Sequence, residues 1–167
     1  MKPIYTGPAL ILLAVILWGC PYSSTVGIDE NSTLDINPNL LGTWRKANYP
    51  ADSTEVIFTK KTDHQYDIIA TIGQPATGYE HYNIIGFFSK VNDGYVLNLY
   101  NVDDPEYNFA VVELNGDNLN IKLLSDEITD QKFTTTADMR NFIEQLYKAG
   151  SVKYDDENEV AGLIRVR

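Results

Sequence analysis

From Leu40 to Leu124 apolar and polar residues alternate with a period of two, broken at short intervals by turn-forming residues. This pattern constrains the fold more than any other feature, because successive side chains of a strand point to opposite faces. It predicts strands over Gly42–Asn48, Thr54–Lys60, Gln65–Ile72, Tyr79–Lys90, Gly94–Tyr100, Tyr107–Asn115 and Asn118–Leu124. Val56 and Phe58 share a face, as do Tyr66, Ile68, Ala70 and Ile72. Tyr95, Leu97 and Leu99 face one way and Asn98 the other, while Leu119, Ile121 and Leu123 alternate with Asn118, Asn120 and Lys122. Asn115-Gly116 falls between two such runs, and a type I′ hairpin turn wants φ > 0 at both of its central positions. Asn92-Asp93-Gly94 and Lys61-Thr62-Asp63-His64 serve as further tight connections. Sequential hairpins make an antiparallel meander, and so many strands must close or pair face to face to hide their edges. The expected fold class is therefore mainly β, an antiparallel meander closing into a small barrel or a sandwich.

One helix follows the meander. Thr135-Thr136-Ala137-Asp138 offers a capping box, and Met139, Phe142, Ile143, Leu146 and Tyr147 then form an apolar stripe at helical spacing. Such a stripe must dock on the sheet, and Gly150 is a fitting stop. The acidic loop Tyr154-Asp155-Asp156-Glu157-Asn158-Glu159 leads to a short last strand within Ala161–Arg167.

The N-terminal side has a different character. Met1-Lys2 is a short positive end, Ala9 to Trp18 is an unbroken apolar run, and Leu17-Trp18-Gly19-Cys20 closes it. Ten apolar residues are about half of what a bilayer-spanning helix needs, so the stretch reads as a secretory leader. With an aliphatic Leu17, a small Gly19 and the chain's only cysteine, it resembles the lipobox of bacterial lipoproteins. The resemblance implies cleavage between Gly19 and Cys20, a diacylglycerol thioether on Cys20, and acylation (palmitate or similar) of the new amine. Two or three acyl chains anchor stably, where one is marginal. It thus implies a chain lipid-anchored to the cell membrane or outer membrane. No acidic run follows Cys20 directly; in lipoproteins of the Bacteroides group such a run tends to mark surface export, so the expected side is the periplasm. The layout is a signal peptide over residues 1–19, a lipidated flexible tether over 20–39, and one β-domain over 40–167.

Residues 21–39 carry mostly turn formers and small polar side chains with no apolar period, hence the tether reading. The formal charge of −10 becomes −11 when Lys2 leaves with the leader. That sign opposes nucleic acid, whose phosphates call for clustered Lys and Arg, and opposes polybasic attachment to anionic lipid.

Leu41-Gly42-Thr43-Trp44 at the first strand, a meander, a docked helix and a last strand with arginine together resemble the lipocalin-like architecture. Gly-x-Trp is that family's best-known mark. The resemblance implies that Trp44 plugs one end of the barrel and that Arg165 or Arg167 lies across it in a cation–π contact. The layout is also similar to small lipoproteins of Bacteroidetes-type bacteria that carry this domain behind a lipobox.

No catalytic set stands out, and the expectation is a protein that is not an enzyme. The mature chain keeps no unmodified cysteine, there is no Gly-x-Ser-x-Gly elbow, and only two histidines occur. Two histidines about seventeen residues apart do not make a zinc site, and no metal or other cofactor is expected beyond the acyl chains on Cys20. Asp103-Asp104-Pro105-Glu106 and the loop after Tyr154 are oxygen-rich but lack the spaced EF-hand pattern. His64 sits in a turn, where exposure explains it. Glu80 and His81 point to opposite faces of one strand and cannot act together on one substrate. Tyrosine is abundant, with eleven, and a tyrosine-rich strand surface suits a protein or glycan partner. Tyr79, His81 and Tyr82 are the candidate binding residues. The expected function is a lipid-anchored cell-envelope binding module for a small apolar ligand or an envelope protein. The alternatives are a structural accessory subunit of an envelope complex and a carboxylate-based hydrolase.

Overall fold

The computed structural model describes residues 20–74, 78–156 and 160–167. Nine strands form one antiparallel sheet: β1 Ser23–Ser24, β2 Gly42–Lys46, β3 Glu55–Lys60, β4 Tyr66–Gln74, β5 Gly78–Val91, β6 Gly94–Asn101, β7 Tyr107–Asn115, β8 Asn118–Leu123 and β9 Val160–Arg165. Each of β2 to β8 pairs with the next, and β9 lies between β8 and β2, so these eight strands close into a barrel. The sheet is thus a barrel and not a sandwich. Closure leaves no barrel strand with an open edge, the solution the meander required. β1 pairs with β7 from outside the ring.

Strand bounds fall within a residue or two of those the alternation predicts, and β7 coincides with its predicted span. The inward positions hold the first core, including Trp44, Phe58, Tyr66, Ile68, Leu97, Leu119 and Leu163. Gly86 also faces inward: a Cβ there would come within 2.5 Å of Ile68 Cδ1, so glycine leaves room for the Ile68 side chain inside the barrel.

Among the described residues a single α-helix, α1 Thr136–Lys148, begins where Thr135 accepts the Asp138 backbone N–H at 3.1 Å. Its stripe, with Met139 and Ile143 fully buried, packs outside the barrel against Val91, Val96 and Phe109 of β5, β6 and β7.

The segment read as a flexible tether is instead a strap. Tyr22 and Ile28 are buried in this second core beside the helix, with Val26 packed against it. Tyr22 stacks on Phe109 with ring centroids 6.1 Å apart. Further on, the Ile36 N–H donates to the Asp63 carbonyl at 2.9 Å, so the strap runs the length of the barrel. It ends in a 3-10 turn, Pro38–Leu40, which carries Leu40 into the barrel core. The physical reason is that the helix alone cannot cover the outer wall of β5–β7, and isolated Tyr22, Val26 and Ile28 complete that cover. The leader and the cleavage point at Gly19 lie outside the described residues.

Candidate functional site: a barrel cavity open at one end

Direction of the strands defines two ends. One end gathers the β3–β4, β5–β6 and β7–β8 turns together with the Pro38–Leu40 turn. There Trp44 is fully buried, and its indole N–H donates to the Leu40 carbonyl at 2.8 Å. The β2–β9 register sets Trp44 opposite Arg165, whose guanidinium carbon lies 4.2 Å from the Trp44 ring centroid. Arg165 also donates to the Leu41 carbonyl at 2.8 Å and to the Asn39 carbonyl. Arg167 is exposed and pairs with Asp117. Between the two arginines, the one across Trp44 is Arg165.

Above this plug the interior is not filled. A cavity of about 420 Å³ is walled by Val56, Phe58, Ile68, Ala70, Ile72, Ile84, Leu99 and Ile121. Polar groups collect at the opposite end: Lys46 at the end of β2, Asp52 and Thr54 before β3, Asn101 at the end of β6 and Asn108 in β7. Pro21 of the strap completes that rim. Apolar walls with a few polar groups at the mouth are the usual make-up of a small-molecule site, and the volume lies in the range of ~300–1,000 Å³ typical of one. Ala70 and Gly73 of β4 are among the residues that line it. The sequence signal for it was a small residue at an inward position, Ala70 among Tyr66, Ile68 and Ile72.

Tyr82, one of the cavity-lining residues, donates its hydroxyl to the Glu80 carboxylate. That hydrogen bond, then burial, pushes the phenol up to about 12, so Tyr82 stays a neutral donor across the physiological range. His81 faces outward, exposed, with Nδ1 at 3.1 Å from the Thr71 hydroxyl oxygen. Tyr79 is exposed at the start of β5. The candidate binding trio is therefore divided: Tyr82 lines the cavity, while Tyr79 and His81 do not. Nor do the strand tyrosines make one wall. Tyr66 is buried in the barrel, Tyr95 is exposed, and Tyr100 packs on Tyr107 with centroids 5.0 Å apart.

Cys20 is exposed, and it sits beside this rim. Its carbonyl accepts the Asp126 N–H at 2.8 Å and its own N–H donates to Asp126 Oδ1 at 3.3 Å. In the acidic loops, Asp103 accepts from Asn83 at 2.9 Å, Asp155 is buried, and residues 157–159 lie outside the described residues. Among the described residues no group of three or more His, Cys, Asp and Glu is placed to hold a metal ion. Among the same residues no helix is long and apolar enough to cross a membrane.

Fold and site together define a closed eight-stranded antiparallel β-barrel, plugged at one end and hollow at the other. Comparison with protein-family models, with curated proteins and with solved structures finds no significant match.

Proposed function

We propose that this protein is a lipid-anchored binding module of a bacterial cell envelope whose barrel takes up a small apolar ligand. The observation that carries the reading is the cavity of about 420 Å³, apolar along its walls and polar at its rim. Each methylene moved from water into such a space contributes ~0.8 kcal/mol, so a short hydrocarbon segment suffices to offset the cost of immobilising a ligand. Lys46, Asn101, Asn108 and the Tyr82 hydroxyl offer polar contacts to a head group at the rim, while the tail lies among Ile68, Ile84 and Ile121.

Cys20 is the proposed lipidation site, with Gly19 before the cut, and the anchor holds the domain on the cell membrane or outer membrane, facing the periplasm. Its support is the apolar run that ends at the sole cysteine. A fluorescent long-chain fatty acid titrated against the purified full chain tests the ligand reading. Saturable uptake, displaced by an unlabelled fatty acid, is expected; purely linear partition would overturn it. Labelling cells with a palmitate analogue tests the anchor: wild type takes up label, and Cys20→Ala takes up none and is poorly processed.

A further inference from the structure

We infer that the barrel is held with its open end against the membrane, so that its cavity exchanges ligand directly with the bilayer. This rests on the apolar-ligand reading and on membrane attachment on the N-terminal side of Pro21.

The membrane-attached group and the cavity mouth are adjacent in this structure, with no leash between them. Pro21 lines the mouth, and the residue before it is fixed by the two hydrogen bonds between Cys20 and Asp126. Both use backbone groups of Cys20. The next residue, Tyr22, donates its N–H to the Leu124 carbonyl at 2.7 Å. Beyond it the strap is pinned again, where Arg140 meets the Asp29 carboxylate at 2.5 Å. Whether acyl chains on Cys20 or the retained apolar run ending at Trp18 enters the lipid, the point of entry is the rim of the barrel. A flexible tether would have left the domain free to tumble; a strap bonded along the barrel does not.

The rim itself suits an interface. Tyr49 (44% exposed), Tyr79 (48%) and Val102 (50%) lie on the connections and strand ends at this end of the barrel, as Tyr95, Ile164 and Val166 lie exposed at the other, so it is the strap that sets the orientation. Tyrosine is favoured where a bilayer meets water, since its ring is apolar and its hydroxyl stays wet. Glu127 at this end pairs with Lys153 at 2.8 Å, while Asp52, Asp103 and Asp104 outnumber Lys46, and that net charge opposes an anionic leaflet. The surface that fits is therefore a zwitterionic one.

Bimane attached to a thiol introduced by Val102→Cys or by Asp93→Cys, each in a Cys20→Ser chain that keeps the apolar run, reads the orientation. The full-length chain is reconstituted into phosphatidylcholine vesicles containing brominated acyl chains. The label at position 102, beside the mouth, is expected to lose most of its fluorescence, and the label at 93, in the β5–β6 turn at the plugged end, almost none. Equal quenching at both positions, quenching at 93 alone, or no retention on the vesicles would overturn the proposal. Fatty-acid uptake by the same chain in detergent is measured alongside. Loss of uptake with the quenching difference intact would remove the ligand and leave the orientation; uptake without that difference would do the reverse.

Discussion

The side-chain carbonyl of Asn98 accepts the backbone N–H of Ile28 at 2.9 Å, inside the core between the barrel wall and the helix. The Asn98 amide donates to the Ser89 hydroxyl at 2.8 Å and to the Phe87 carbonyl at 3.2 Å. One buried polar side chain thereby satisfies the strap and the β5–β6 pair together, which fixes the path of residues 20–39 more firmly than apolar contact alone.

Replacing Asn98 by Ala leaves the Ile28 N–H buried without its acceptor, a loss of about 1–3 kcal/mol. Urea unfolding of Asn98→Ala should show that loss, and hydrogen exchange should show the Ile28 amide losing protection ahead of the barrel strands. Unchanged exchange at Ile28 would mean that the strap is held without Asn98.

The two C-terminal arginines should separate cleanly. Arg165→Ala removes the contact over Trp44, two hydrogen bonds to carbonyls and an ion pair at 3.5 Å with Asp117, which Arg167 also meets, with an expected destabilisation of about 2–3 kcal/mol. Arg167→Ala removes an exposed ion pair with Asp117 and should leave the thermal midpoint where it is. Trp fluorescence during unfolding follows both, and equal effects would contradict the geometry.

Ala70 lies on the inner face of β4 and lines the cavity. Ala70→Phe should fill that space and weaken uptake of the fluorescent fatty acid by at least about tenfold, equivalent to ~1.4 kcal/mol. Stability should hold or rise, because a ring placed in a void adds contacts. Undiminished uptake by a folded Ala70→Phe variant would place the ligand elsewhere.

Alkaline pH should destabilise the fold through its tyrosines. Tyr22, by burial, and Tyr82, by its hydrogen bond to Glu80 and then burial, are both pushed up to about 12 from an ordinary value of 10. Between pH ~10 and ~12 the unfolded chain has released these protons and the folded chain keeps them, so stability, complete below 10, falls as pH rises through 12. Tyr82→Phe should make that fall shallower, and Glu80→Gln should bring the Tyr82 titration back toward 10. Ultraviolet titration of tyrosinate measures both.

Local rules made most of the barrel legible. β7 and β8 follow from an alternation and an Asn115-Gly116 turn, since strand period and turn chemistry are properties of a few adjacent residues. The helix follows from its stripe and its Thr135 cap for the same reason. The strap did not, because Tyr22, Val26 and Ile28 have no period of their own. Their burial depends on Phe109 and the helix, far away in sequence. Of the candidate site, Tyr82 and the inward face that carries Ile68, Ala70 and Ile72 were legible in the sequence. Volume left over when eight strands close is a sum over all of them, and no short stretch encodes it.

The leading apolar run that ends at Cys20 is set by sequence alone, as are the strands, the turns and the helix, because each needs only neighbours along the chain. Tertiary structure decided the rest. Arg165 and Arg167 have the same parity along the chain, so alternation cannot choose between them; the β2–β9 register does, by placing Arg165, the last residue of β9, opposite Trp44. Closure likewise decided that the inner wall encloses a cavity, and the strap decided that Cys20 stands at its mouth. Both depend on contacts between residues about a hundred positions apart, such as Cys20 with Asp126, which only the folded chain brings together.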